Sequence, residues 1–373
     1  MLNRRKFIQA MATFTGSVMT MTDCADSRAI TSGTDARNAT AWFMPDEAET
    51  HKRTWMAFGA SEEIWGGKLL PEVRRNLATI AKTIAKYEPV SMLVRADELE
   101  LARALVGPSV ELIVAPLDDL WMRDTGPVFV VNEQGQKAAI NFHFNGWGDK
   151  QAHARDAKVA GFVAQNAGVQ QNPTELVLEG GGIEVDGKGT AIITESCVLN
   201  ANRNPAVSKA QAEEELKALL GLEKIIWLPG IRDKDITDGH TDFYARFARP
   251  GVVVAGYDPD PASFDHAVTK AHLQILKSAK DMQGRTLEVV VLEAPGSIRK
   301  AYQSKDFAAG YINFYVCNGA VIAPEFGDAT TDKAAKDKLQ ALFPNRDVVQ
   351  VNIDAVAAGG GGIHCTTQQE PMV

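Results

Sequence analysis

The stretch LVLEGGGIEVDGKGTAIIT at 176–194, followed by SKAQAEEELKALLG at 208–221 and EKIIWLPG at 223–230, decides how the chain folds. Two β-rich runs joined by the turn residues Asp186 to Gly189 precede a helix that ends on Gly221, and a further apolar β run follows. The order is strand, strand, helix, strand. It returns downstream, where RPGVVVAGY (249–257) gives way to the helical SFDHAVTKAHLQILKSAKD (263–281) and the strand TLEVVVLEAP (286–295). It returns again as the strand pair YINFYVCNGAVIAPEFG (311–327), the helix DKAAKDKLQALF (332–343) and the strand DVVQVNI (347–353).

Upstream, TGPVFVVN (125–132) and KAAINFHFN (137–145) read as a hairpin with Gly135 in its turn, and a helix is expected around Lys158 to Asn166. Nearer the start come a strand at Thr54 to Phe58 and a helix from Leu70 to Tyr87, with Val73, Leu77, Ile80 and Ile84 on one face and Pro89 beyond its end. PVSMLV and VELIVAP are strands on either side of a helix over Asp97 to Val106, with Asp97 as its cap. Units thus recur about every sixty residues, which predicts a repeat architecture of α/β units. No linker rich in proline, glycine or serine divides the chain, so one domain is expected over 36–373.

Composition narrows the function. In 373 residues, 45% are hydrophobic and 23% charged, a proportion suited to a soluble globular core. The net charge of -8 disfavours nucleic acid and anionic membranes as partners and favours a cationic small molecule. Residues 1–35 differ from the rest. Asn3, Arg4, Arg5, Lys6 and Phe7, then the apolar Ile8 to Met21 and small residues near Ala25 to Ala29, predict a twin-arginine leader and export to the periplasm. Met21, Thr22 and Asp23 make a poor lipidation box before Cys24. No later run reaches the roughly eighteen apolar residues of a membrane helix, so stable membrane insertion is not expected.

Of the remaining cysteines, Cys197 and Cys317 sit in apolar runs and are expected to be core filler. Cys365 is the chemical one. It follows the glycines Gly359 to Gly362, which can present its sulfur to a cavity. Three other stretches place acids where strands should end: Asp124 in LWMRDTGP, Glu179 before three glycines, and Asp242 in TDGHTD. Glu179 is followed by a strand, not a helix, so the glycines are no dinucleotide fingerprint. His240 and Asp242, two apart, share a face if their segment is a strand, and a carboxylate beside histidine raises its pKa. The same His-x-Asp spacing could ligate a metal, but His143, His266, His272 and His364 lack partner spacing, and no metal is expected. A thiol among acids would have its pKa raised unless a bound cation or protonated His240 reversed it.

WMRDTGP, LEGGGIEVDGKGT, LNANRNP, DGHTD, FGD and GGGGIHCTTQQEP, in this order, resemble the agmatine deiminase family of guanidine-modifying enzymes, relatives of the bacterial peptidyl-arginine deiminases. The resemblance runs from about Trp42 to Pro371. It implies a pentein fold, a five-bladed pseudosymmetric α/β propeller of ββαβ units with a central active site. It also implies hydrolysis of agmatine to N-carbamoylputrescine and ammonia through a covalent thiouronium, with no cofactor. By matching motif, Cys365 is the nucleophile, His240 the general acid/base, Asp124 and Asp242 the guanidinium grip, Glu179 the supporting acid, and Trp121 a wall for the substrate's methylenes.

Two departures from the family pattern stand out. Gly362 occupies a position that is often asparagine in the family. The segment Gly148 to Asp156 is short where the usual loop is long and aromatic, and it brings Lys150, His153 and Arg155. Lys150 and Arg155 would suit a substrate carboxylate, which keeps arginine or a C-terminal peptidyl-arginine as the alternative substrate. A non-catalytic guanidine binder and a metallohydrolase are the other readings. A homodimer is common among relatives, and truncation before Gly359 is expected to abolish turnover while leaving the core folded.

Overall fold

The computed structural model describes residues 41–304 and 306–373, so the leader, Arg4, Arg5 and Cys24 lie outside the described residues. The described residues cluster as one compact unit. The unit first picked out in the sequence folds as read. Ile183–Val185 and Thr190–Thr194 pair antiparallel, the helix Lys209–Leu220 follows, and Lys224–Leu228 joins Thr190–Thr194 in parallel. That helix starts on a capping box in which Ser208 and Gln211 bond reciprocally, and stops on Gly221 at a left-handed φ of 65°.

Three more sheets repeat the order. Val128–Asn132 and Lys137–Ile140 form the expected hairpin about Gly135 (φ 71°), and after the helix Val159–Ala167 the strand Gln170–Asn172 pairs parallel to Lys137–Ile140. Ala245–Arg249 and Val252–Tyr257 precede the helix His266–Ser278 and the parallel strand Glu288–Glu293. Tyr315–Cys317 and Ala320–Glu325 precede the helix Ala329–Leu342 and Asp347–Asn352. The fifth sheet joins the two ends of the described chain. C-terminal Gln368–Pro371 lies antiparallel to His51–Phe58, which pairs parallel with Val90–Val94, and that strand in turn with Val110–Val114.

Several local expectations change. The first long helix begins at Glu62, not Leu70, because Gly66 takes a positive φ of 66° and joins a leading turn to the main helix across a kink. Asp97 caps nothing: it lies inside a 3-10 turn, Ala96–Glu98, ahead of Leu99–Val106. Asn141 to Asn145 leaves the ladder after Ile140. His240 and Asp242 are not on a strand, since Thr241–Phe243 is a 3-10 turn. Among the described residues no helix is long and apolar enough to cross a membrane.

Candidate active site

The polar residues of interest share one structural address. Asp124 lies in Met122–Thr125, just before the strand that starts at Val128, and Glu179 precedes the Gly180–Gly182 turn and the strand from Ile183. Asp242 sits in the turn before Ala245, and Cys365 in His364–Thr366 before Gln368. Asn313 occupies the same place before Tyr315. Each unit therefore delivers one polar side chain from the turn that leads into its first strand. Asn313 is the residue the sequence reading missed, and its place in the repeat was the signal that could have found it.

A cavity of about 610 Å³ has Trp121, Asp124, Trp147, His240, Gly361 and Cys365 in its lining, while Glu179, Asp242 and Asn313 are buried outside that lining. The glycine run before the nucleophile has a steric reason. A Cβ on Gly359 would stand 2.2 Å from the Trp65 ring, and one on Gly361 would stand 2.2 Å from Trp121. Backbone without side chains lets two indoles close on the cavity. Asp119, buried, accepts both indole N–H groups, from Trp65 at 2.7 Å and from Trp121 at 3.0 Å, and the rings lie 5.8 Å apart. A tail of methylenes passing this wall would be sheltered from water.

Asn313 Nδ2 stands 3.3 Å from Cys365 Sγ, and Asn313 Oδ1 accepts the Cys365 backbone N–H at 3.3 Å. A Cβ on Gly362 would meet that Oδ1 at 2.3 Å. The space a side chain at position 362 would need is thus filled by the Asn313 amide, which lies beside the sulfur. Asp242 Oδ2 lies 3.6 Å from Sγ. Burial, then Asp242 and Asp124, push the thiol well above its ordinary pKa, against the pull of the Gly362 N–H and Asn313. The resting group is a thiol.

His240 Nε2 lies 3.0 Å from Glu179 Oε2, and its Nδ1 lies 3.7 Å from Asp124 Oδ1. Burial presses the imidazole's pKa down, but Asp124, Cys197 and Glu179 outweigh it and lift the value well above the usual range, giving a resting imidazolium. Glu179 is fully buried; burial raises its pKa, but Arg203, with Nε 2.9 and 3.1 Å from its two oxygens, and His240 bring it below the usual range. Asp124 receives Gly181 N–H at 3.1 Å on Oδ1 and Trp147 Nε1–H at 2.9 Å on Oδ2, leaving each oxygen a lone pair. Burial pushes its pKa up to about 6, with His240 opposing and Asp242 and Glu179 adding.

Cys197 is more than core filler. It lies on the short helix Glu195–Val198, with Sγ 3.5 Å from Glu179 Oε2. Glu179, Cys197 and His240 bring three ligand-type atoms within 4.8 Å of one another, a grouping that the His-x-Asp spacing did not foreshadow. Both oxygens of Glu179 are already engaged by Arg203.

Lys150 and Arg155 are not brought to the cavity lining. Lys150 Nζ is drawn to Asp238 at 2.7 Å and to the Ile236 carbonyl at 3.1 Å, while Arg155 stands 3.8 Å from Asp118. Their charges are answered by those acids. His153 contacts the Gln151 carbonyl at 2.9 Å.

Turns from successive α/β units that bring a buried thiol, a histidine and three carboxylates together beside one cavity define a thiol-dependent enzyme class built for a cationic group. The chain belongs to the Porphyromonas-type peptidyl-arginine deiminase family, whose model matches residues 43–371. It is 38% identical over 358 residues to the agmatine deiminase of Pseudomonas fluorescens, covering 89% of this chain and 96% of the relative. It is 37% identical over 353 residues to that of Stutzerimonas stutzeri, covering 88% and 95%. Among solved structures, the agmatine deiminase of Enterococcus faecalis superposes with a TM-score of 0.82 at 32% identity, covering 89% of this chain and 96% of that one.

Proposed function

We propose that the protein is a C–N hydrolase that deiminates agmatine to N-carbamoylputrescine and ammonia. The observation that carries this reading is the placement of Cys365 Sγ 3.6 Å from Asp242, on a cavity that Asp124 and His240 also line. Asp124 and Asp242 hold the planar guanidinium, and the bound positive charge favours loss of the thiol proton to solvent. Cys365 thiolate then attacks the central carbon, forming the C–S bond of a tetrahedral adduct. His240 gives its proton to the departing nitrogen, the C–N bond breaks, and ammonia leaves a thiouronium on sulfur. Neutral His240 next takes a proton from water, whose oxygen adds to the same carbon. Collapse expels the thiolate and yields the ureido product.

Arginine and a C-terminal peptidyl-arginine form the second reading, favoured by the family model that matches the chain. The pairing of Lys150 with Asp238, together with Asp235, Asp258 and Asp265 in the cavity wall, favours the amine-tailed substrate over the carboxylated ones. A ureido colour assay on agmatine, arginine and a peptide ending in arginine, with Cys365→Ala as control, decides. Agmatine is expected to have the highest kcat/KM. A higher value for either arginine substrate reverses the assignment.

The five sheets are read as blades of a propeller around this cavity, a reading supported by their common strand order and by the equivalent place of one polar side chain before the first strand of each. The leader is read as a twin-arginine signal delivering the folded enzyme to the periplasm, and retention of an Arg4→Lys, Arg5→Lys variant in the cytoplasm is the test. A homodimer is the oligomeric state most in keeping with the family, to be checked by sedimentation.

A further inference from the structure

The residue next to the nucleophile, His364, is buried and has both ring nitrogens on carboxylates. Nδ1 lies 2.7 Å from Asp242 Oδ2 and Nε2 lies 2.8 Å from Glu47 Oε2. Glu47 is itself held firmly. Its Oε2 accepts from Arg123 at 3.0 Å, and its Oε1 accepts from Arg246 at 2.7 Å and from the Val316 N–H at 2.9 Å. A neutral imidazole has one N–H and could satisfy one of the two contacts, leaving lone pairs opposed at the other. Burial, with Arg123 and Arg246 nearby, draws the imidazole's pKa down against Glu47 and Asp242. Contacts of 2.7 and 2.8 Å to two carboxylates are nevertheless both met only by a ring with two N–H groups, so the geometry decides and each carboxylate receives a hydrogen bond from the ring.

The consequence falls on Asp242. Oδ2 is taken by His364 and lies near the sulfur, whereas Oδ1 is buried and has no hydrogen-bond partner. An unpaired buried carboxylate oxygen is costly unless a ligand donor meets it. We propose that His364, anchored by Glu47, is a positioning residue that fixes the Asp242 carboxylate so that Oδ1 is presented to an N–H group of the guanidinium. This inference rests on the assignment of Asp242 to the guanidinium grip. It adds a residue whose neighbour, not itself, touches substrate. Sequence spacing gives no hint of it, because Glu47 lies 317 residues from His364 and Asp242 lies 122 residues away.

The two nitrogens can be separated chemically. The amide of asparagine falls where Nδ1 stands, and that of glutamine where Nε2 stands, so His364→Asn keeps the donor to Asp242 and His364→Gln keeps only the contact with Glu47. The probe is alkylation of Cys365 by chloroacetamidine, a planar cation like the guanidinium, against its neutral counterpart chloroacetamide. The ratio of the two rates reports the grip on a cation without requiring turnover, so an error in the substrate assignment does not affect it.

The wild type is expected to prefer the cation. His364→Asn is expected to retain that preference, while His364→Gln loses roughly tenfold of it, the size of one charge-assisted hydrogen bond. In steady state with agmatine, His364→Gln should raise KM as well as lower kcat, since the grip is made before the chemistry. An unchanged ratio in folded His364→Gln, or equal slowing of both reagents, overturns the proposal. If His364→Gln does not fold, a folded His364→Asn that has lost the preference overturns it equally. A wild type with no cation preference would instead fault the assignment of the aspartates.

Discussion

Cys365 is a poor nucleophile at rest, and its neighbours explain why that serves the enzyme. Burial with Asp242 and Asp124 keeps the sulfur protonated until a cation arrives, so reactivity is coupled to substrate. Asp124 sets the acid limb. Burial raises its pKa to about 6, so the grip is charged above that value and lost below it. The kcat/KM for agmatine is therefore expected to fall about tenfold per unit as pH drops below about 6. A flat profile to pH 5 would remove Asp124 from the grip. Gly361 gives a steric test, because a methyl group there would stand 2.2 Å from Trp121. Gly361→Ala is expected to lower kcat/KM by roughly tenfold or more while costing only about 1–3 kcal/mol of stability in urea unfolding. Equal kcat/KM would show that the indole wall does not shape the site.

At the scale of elements, the C-terminal strand matters more than the sequence suggested. The expectation that truncation before Gly359 would spare the core does not survive its contacts. Gln368–Pro371 is wholly buried against His51–Phe58, and Arg123 donates to Gln368 at 2.8 Å and Gln369 at 2.7 Å. Glu370 accepts Trp55 Nε1–H at 2.9 Å and pairs with Lys137 at 2.5 Å. Such a truncation should therefore lower stability as well as activity. Glu370→Ala, which leaves the half-buried Lys137 and the buried Trp55 Nε1–H without their carboxylate, is expected to cost about 3–5 kcal/mol in urea unfolding; a cost below about 1 kcal/mol would reduce the latch to a surface contact. The strand order was legible because β-rich runs, a helical period and glycine turns agree over 176–230. What was not legible was long-range. Asn313 sits in an apolar run, the role of Cys197 depends on Glu179 across the site, and Lys150 was read without Asp238 as its partner.

At the scale of the whole molecule, a net charge of -8 and an acid-lined cavity should draw a dicationic substrate by long-range attraction. The kcat/KM for agmatine is expected to decline as salt screens that field, and an increase with salt would contradict it. The turns that bear the polar side chains of the site precede the first strand of every unit, so each of the five units contributes one of them. The motifs made the acids, His240 and Cys365 legible in advance, but their convergence depends on how the units are arranged in space. The central claim is that Cys365 forms a covalent bond to the guanidine carbon. It is tested by acid-quenching the enzyme during turnover of agmatine and mapping adducts by mass spectrometry. The account predicts an increment equal to agmatine less ammonia on the peptide holding Cys365, absent in Cys365→Ala. Undiminished turnover by Cys365→Ala, or an adduct on another residue, would contradict it.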